Sequence, residues 1–361
     1  MAGQGRRRPR VAVVGAGIIG ASIAYHLALS GARVTLIDRD PVPGEATAQS
    51  FSWINASAGN PSPYYELRLQ GLLEWRALDE TLGGGLTLRW GGSLEWSDDA
   101  QALERDFREQ AGRGYPLRRV GRAEIVALEP AVAEPPESAL YASLEGTLQA
   151  VAATERLIEA ARALGAEVRR GAAAIVGDVA GRTVIAVAGE PLEVDVVVLA
   201  VGAGAEAVAA RLDVCLPMAN LPGLLIHTRP YPPLLSRLLL SPGAHIKQDC
   251  DGRVVAGESF GGGPVPNDPQ AEGERLLARV KTRLEGAEGL ELERVTLGVR
   301  PIPRDGLPVL GFAEELEGLY LAALHSGVTL APVVGRLAAA EIVGGRPLKV
   351  LEPFRPARFR T

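Results

Sequence analysis

Three glycines, Gly15, Gly17 and Gly20, stand between a short apolar run, Val11 to Val14, and a helical pattern. An acid, Asp38, closes a second apolar run from Arg33 to Ile37. Those residue types at that spacing suit the binding of a dinucleotide. Gly15 permits the tight turn, Gly17 lets the backbone approach a pyrophosphate, and Gly20 lets the helix pack close to its strand. Asp38 is placed to accept hydrogen bonds from ribose hydroxyls. The helix start adds unpaired N–H groups and a positive dipole end for the phosphates. Taken alone, these residues leave nicotinamide and flavin dinucleotides equally open. Beyond Asp38, Thr47, Ser50 and Ser52 lie in a segment of small and polar residues and can hydrogen-bond a ligand.

The elements that must position these groups follow from the pattern along the chain. Strand, glycine turn, helix, strand and acid occupy residues 11–38, the helix reading as amphipathic with Ile19, Ile23, Ala24 and Leu27 on its apolar face. Pro63 to Gly83 repeats apolar residues at helical spacing, and 86–90 and 93–96 read as strands parted by Gly91-Gly92. Residues 99–112 and 121–128 read as helices, and 140–143 as a strand. Helix 154–164 leads through a glycine turn to a strand, and 183–187 pairs with 192–194. The stretch VDVVVLAVGAGAEAVAARL, 194–212, is a buried strand running through glycines into a helix. It returns residues 150–212 to the sheet of the N-terminus. Residues 213–297 differ, with short strands at 224–228, 245–248 and 253–256 and a helix at 271–284. A third strand–glycine–helix junction closes the chain: strand 318–324, His325-Ser326-Gly327, and a helix from about Ala331 to Val343.

The chain has 361 residues, 47% hydrophobic and 22% charged, with a net charge of −5. It can bury a large core in one large or two intertwined domains. The charge argues against general nucleic-acid binding, and the basic Arg6-Arg7-Arg8-Pro9-Arg10 reads as a solvated leader. No run of 18 apolar residues is present, so no transmembrane segment is expected. Cys215 and Cys250 have no metal-ligand spacing and read as free thiols in a reducing, cytoplasmic setting. No metal site is expected.

The three junctions, in this order and spacing, resemble the flavin-dependent D-amino-acid oxidase superfamily, in its branch of glycine oxidases, sarcosine oxidases and D-amino-acid dehydrogenases. The segments that carry the likeness are VAVVGAGIIGASIAYHLA, VVVLAVGA, GVRPIPRDGLPVLG and LHSGVTLAPVVGRLAAAEI. It implies an α/β chain with a discontinuous Rossmann-like FAD-binding domain, residues 1–85, 148–212 and 298–361. An inserted α+β substrate domain of mainly antiparallel sheet would take 86–147 and 213–297. FAD would lie on Gly15, Gly17, Ile18, Ile19, Gly20, Asp38, Arg39, Thr47, Ala48, Ser50, Ala174 and Gly202. Gly327, Val328, Thr329 and Leu330 would line its ring. A helix starting beyond Gly327 also suits the pyrimidine edge of a reduced flavin, because its N–H groups face developing negative charge.

The resemblance further implies oxidation of an amine beside a carboxylate. Arg300, in Val299-Arg300-Pro301, matches the family arginine that holds the carboxylate, and a guanidinium grips that group bidentately. Arg304 is the weaker alternative. His245 stands where glycine-oxidase-like relatives carry a substrate-facing tyrosine, and His325 precedes the flavin-lining glycine. His26 and His227 read as structural, and Lys247 is a cation near the flavin only if its strand is regular. Gly298 stands where relatives with covalent flavin carry cysteine, so FAD is expected to be noncovalent. The oxygen-activating lysine of sarcosine oxidases has no counterpart, which leaves oxygen or a quinone or other carrier open as the electron acceptor. The expected substrate is glycine, sarcosine, proline or a D-amino acid, losing hydride to the flavin and leaving an imine that hydrolyses. Oxidation of a 2-hydroxy acid, a nicotinamide-dependent dehydrogenase, and a flavin subunit of a heteromeric amine dehydrogenase are the alternatives. A homo-oligomer is compatible with the sequence.

Overall fold

The computed structural model of the chain describes residues 8–219, 221–258 and 265–360. Arg6 and Arg7 of the basic leader lie outside the described residues. The chain opens as β1 (Arg10–Val14), α1 (Ile18–Leu29) and β2 (Arg33–Asp38), followed by α2 (Glu45–Ala48), β3 (Trp53–Ile54) and α3 (Ser62–Thr81). A six-stranded sheet is ordered Val309–Phe312, Leu319–Ala323, Val196–Leu199, β1, β2, Glu167–Arg170. Its strands are parallel except Val309–Phe312, which runs antiparallel to Leu319–Ala323. Leu319–Ala323, Val196–Leu199 and β1 are adjacent, in register Val14 to Leu199 and Leu199 to Leu321. The three glycine junctions therefore leave the same carboxyl edge side by side, where open α/β sheets bind ligands.

An eight-stranded sheet is built from Leu292–Arg300, Leu221–Thr228, Val254–Gly257, Ala244–Gln248, Leu238–Ser241, Ser93–Glu95, Ser138–Ala142 and Leu117–Gly121. Its pairings are antiparallel except that of Leu238–Ser241 with Ser93–Glu95. The α/β architecture with a second, mainly antiparallel sheet is thus the one expected. Leu238–Ser241 and most of Leu292–Arg300 escape the sequence reading. Residues 86–90 form only an isolated bridge, Arg89 to Thr147, in place of the expected strand.

Two helices differ from expectation for physical reasons. Ile18 to Leu29 is buried on nearly all sides, including Ser22 and Tyr25, because it is packed between the sheet and other helices. It is a core helix, not an amphipathic one. The last long helix spans Gly327–Gly344, starting well before Ala331 and leaving Pro332 inside it. Proline has no N–H, so the carbonyl of Val328 loses its intrahelical donor. The indole Nε1 of Trp75, on α3, donates to that carbonyl at 2.8 Å. This helix is long and apolar enough to cross a membrane by composition, but it is mostly buried against α1 and α3. Ser22 Oγ donates to Ala331 O at 2.6 Å and fixes the crossing with α1.

Candidate active site

The turn between β1 and α1 requires its glycines. Gly15 has φ +101°, and a side-chain carbon there would lie 2.4 Å from Ala200 O. A Cβ on Gly20 would lie 1.8 Å from Gly15 O. Gly20 therefore works by packing and does not itself line the cavity. Asp38 braces the same turn. Its Oδ2 accepts from Ala16 N at 2.5 Å and its Oδ1 from Asp40 N at 2.9 Å. Thr47, in α2, accepts from Ile18 N at 3.1 Å and so sits at the open end of α1.

A cavity of about 510 Å³ runs from this turn to the eight-stranded sheet, well within the range of cofactor and ligand sites. Of the predicted cofactor residues, Gly15, Gly17, Ile18, Ile19, Asp38, Arg39, Thr47, Ser50, Ala174, Gly202, Gly327 and Val328 line it. Ala48, Thr329 and Leu330 do not. Starting the last helix at Gly327 turns Leu330 into the core, fully buried. Thr329 faces β3 instead, its Oγ1 donating to Trp53 O and accepting from Asn55 N, both at 3.3 Å. Thr329 thus ties β3 to the helix and supports the cavity wall from behind.

All three predicted catalytic residues, Arg300, His245 and His325, line the same cavity. Arg300 ends the strand Leu292–Arg300 and donates to Pro222 O at 3.0 Å. Its guanidinium occupies the space that a side chain on Gly223 would fill, 2.5 Å from the position of that Cβ. Burial lowers the affinity of Arg300 for its proton. Burial likewise pushes His245 down to about 4. His325 is also pushed down to about 4, by burial first and then by the positive charges of Arg68 and Arg300. Both imidazoles are neutral at pH 7. His325 Nδ1 lies 3.2 Å from Ser326 Oγ.

The other candidates point elsewhere. Arg304 is exposed and away from the cavity. Lys247 lies on a regular strand but is 3% exposed, with Nζ 2.6 Å from Asp249 Oδ1, outside the cavity wall. His26 Nδ1 donates to Ser22 O at 2.8 Å, and His227 pairs with Thr296 Oγ1. Cys215 and Cys250 are free and exposed, and neither lines the cavity. Sequence reasoning missed Arg68, Asn55 and Trp53, which also line the cavity. Asn55 and Trp53 are held in an ordered wall. Glu145 accepts from Trp53 Nε1 at 2.7 Å, Ser93 Oγ at 2.7 Å and Tyr115 OH at 2.9 Å. Burial raises the Glu145 carboxyl to about 6 despite those donors.

A glycine turn, an acid and an adjacent helix terminus at one end, and a guanidinium with two neutral imidazoles at the other, can hold a long dinucleotide and present a carboxylated substrate to its far end. The sequence model of the FAD dependent oxidoreductase family, DAO, matches residues 10–341. The chain belongs to this family. It is an FAD-dependent oxidoreductase, and the cradle at Gly15, the α1 terminus and Asp38 fits the cofactor that the family uses. Glycine oxidase of Geobacillus kaustophilus (strain HTA426) is 28% identical over 371 residues, covering 96% of this chain and 96% of the relative. The crystal structure of glycine oxidase from Geobacillus kaustophilus superposes with TM-score 0.88 at 27% identity, over 98% of this chain and 100% of the other. That of iminodiacetate oxidase from Chelativorans sp. BNC1 gives 0.84 at 26%, over 96% and 99%.

Proposed function

We propose that this DAO-family member oxidises the Cα–N bond of a small amino acid or secondary amine. The observation that carries the reading is Arg300, half-buried in the cavity wall, its guanidinium seated over the bare Gly223. Such a guanidinium takes a carboxylate bidentately and fixes the neighbouring Cα–H in one orientation. FAD, when bound, supplies the two-electron acceptor for the hydride of that carbon. The product imine hydrolyses in water to a carbonyl acid and an amine or ammonia.

The protein's own groups favour a neutral amine. Arg68 and Arg300 disfavour a third positive charge beside them. Imidazoles held at about 4 are too weak as bases to take a proton from a substrate ammonium, so His245 and His325 act by hydrogen bonding. The ring end of FAD is proposed to rest on Gly327 and Val328, with Ile18, Ile19 and Thr47 at its phosphates and Asp38, Arg39, Ala174 and Gly202 at its adenosine. Residues 1–85, 148–212 and 298–361 would form the cofactor-binding part, and 86–147 with 213–297 the substrate-binding part. Binding would be noncovalent: a side-chain carbon at position 298 would meet Gln49, and neither cysteine lines the cavity.

The deciding experiment is anaerobic spectroscopy of the purified yellow protein with glycine, sarcosine, proline and D-amino acids. Bleaching of the oxidised-flavin bands by an amine supports the reading, and recolouring on readmission of air assigns oxygen as acceptor. Bleaching by 2-hydroxy acids alone would overturn it.

A further inference from the structure

Arg68 is a buried cation to which the reaction above assigns no ligand. It lies on α3, 7% exposed, and lines the cavity near His325, whose proton affinity it lowers together with Arg300. Its Nε donates to Asn55 O at 3.3 Å and its Nη2 to Asn55 Oδ1. The Tyr64 ring lies 5.6 Å from its Cζ. No carboxylate forms an ion pair with it among the described residues. Glu145 is near enough to feel its charge, yet both Glu145 oxygens are taken by Trp53, Ser93 and Tyr115. A guanidinium carries five N–H donors, and Asn55 occupies only part of that set.

The carboxylates that line the cavity are committed at its other end. Asp38 braces the glycine turn, and Asp40 and Glu45 pair with Arg39. A single substrate carboxylate compensates Arg300. The N-terminus of the helix Gly327–Gly344 already offers donors and a positive dipole end to a developing charge on the cofactor. Arg68 is left as a desolvated positive charge beside the substrate space. Such a charge is costly unless an anion joins it.

We propose that Arg68, oriented by Asn55, is a second anion-binding point of this cavity, and that the preferred substrates are amines bearing two carboxylates. Arg300 holds the carboxylate next to the reacting carbon, and Arg68 holds the other. The second carboxylate is carried either on the amine nitrogen or on the side chain. This proposal rests on the amine-oxidation reading for its substrates, but not for its binding test.

The test uses the FAD-loaded protein. Flavin reduction is measured with iminodiacetate against sarcosine, and with D-aspartate against D-alanine. The wild-type protein is expected to favour a dicarboxylate over its partner by about 10-fold or more in kcat/KM, and whichever pair shows this locates the second carboxylate. Arg68→Met is expected to lower that preference ratio about 30-fold, as loss of a charge-assisted contact does, and Arg68→Lys to lower it less. In parallel, malonate, succinate and glutarate are titrated against acetate, read by perturbation of the flavin spectrum. Tighter dicarboxylate binding that needs Arg68 supports the proposal even if no amine reduces the flavin, an outcome that would sink only the amine-oxidation reading. Equal binding of acetate and the dicarboxylates overturns it. So does a ratio unchanged in Arg68→Met, or a shift in flavin potential without a shift in that ratio, which would assign Arg68 to the cofactor.

Discussion

Replacing Trp75 by Phe should destabilise the chain by an amount that depends on a residue in another helix. Pro332 leaves the Val328 carbonyl without its intrahelical donor, and the Trp75 indole supplies one at 2.8 Å. Trp75 is fully buried, so no water replaces the lost N–H. An unsatisfied buried carbonyl costs roughly 1–3 kcal/mol. The volume lost from indole to phenyl adds about 1 kcal/mol at ordinary cavity costs. Trp75→Phe should therefore cost roughly 2–4 kcal/mol in all. In a Pro332→Ala background the backbone N–H of residue 332 can serve Val328 itself. There Trp75→Phe should cost only the ring-volume part, about 1 kcal/mol. Urea unfolding of the four proteins closes the double-mutant cycle, with an expected coupling of roughly 1–3 kcal/mol. Val328 also lines the cavity, so FAD affinity should fall in Trp75→Phe and recover in the double variant. Equal costs in the two backgrounds would refute the role given to the indole.

Arg300→Met should lower kcat/KM roughly 10²–10³-fold, mostly through KM, because truncating one partner of a buried charge pair costs several kcal/mol; retention of FAD absorbance shows that the cofactor site survives, and an unchanged KM removes Arg300 from the substrate site. Gly20→Ala drives a methyl into Gly15 O and should abolish FAD retention on gel filtration, which a yellow, folded variant would contradict. His245 and His325 titrate at about 4 in the folded chain against about 6.5 unfolded. Between those values the unfolded chain binds more protons, so stability is full above about pH 6.5 and falls as pH drops toward 4, by roughly 3 kcal/mol per imidazole. Denaturation at pH 7 and pH 5 reads this, and His325→Gln should flatten the slope; a slope identical to wild type counts against burial of a neutral His325.

Local chemistry made the cofactor end of the site legible. The three strand–glycine–helix junctions are short, contiguous patterns, and each fixes its own backbone. Placing them side by side needs only the rule that parallel strands with crossovers share one carboxyl edge. The described chain follows it in the register Val14–Leu199–Leu321. The strands of the second sheet were harder. Leu238–Ser241 is fully buried yet only four residues long, and Leu292–Arg300 alternates charged and apolar residues without a clean period. Their identity comes from partners far away in sequence. Gly223 carried no signal either, since its use is the space it leaves for a guanidinium across the ladder.

Arg68 shows why the substrate end was only half legible. On α3 the apolar residues Tyr64, Leu67, Leu69, Leu72, Leu73, Trp75 and Leu78 recur at helical spacing, and of these Leu73 is 48% exposed and Leu69 only partly buried. The buried face takes in Tyr64, Leu67, Arg68, Gly71, Leu72, Trp75 and Leu78, at steps of three and four. Arg68 lies within it, and a reading that scores only apolar residues steps over the one cation there. The sequence signal was thus the position of a charge inside a helical period, not its type. A strand argument could not have supplied it, because Arg68 meets Asn55 through the turn between β3 and α3. A buried arginine at such a position demands an anion or a dipole. Asn55 gives the dipole, and the cavity wall leaves the anion to come from the ligand.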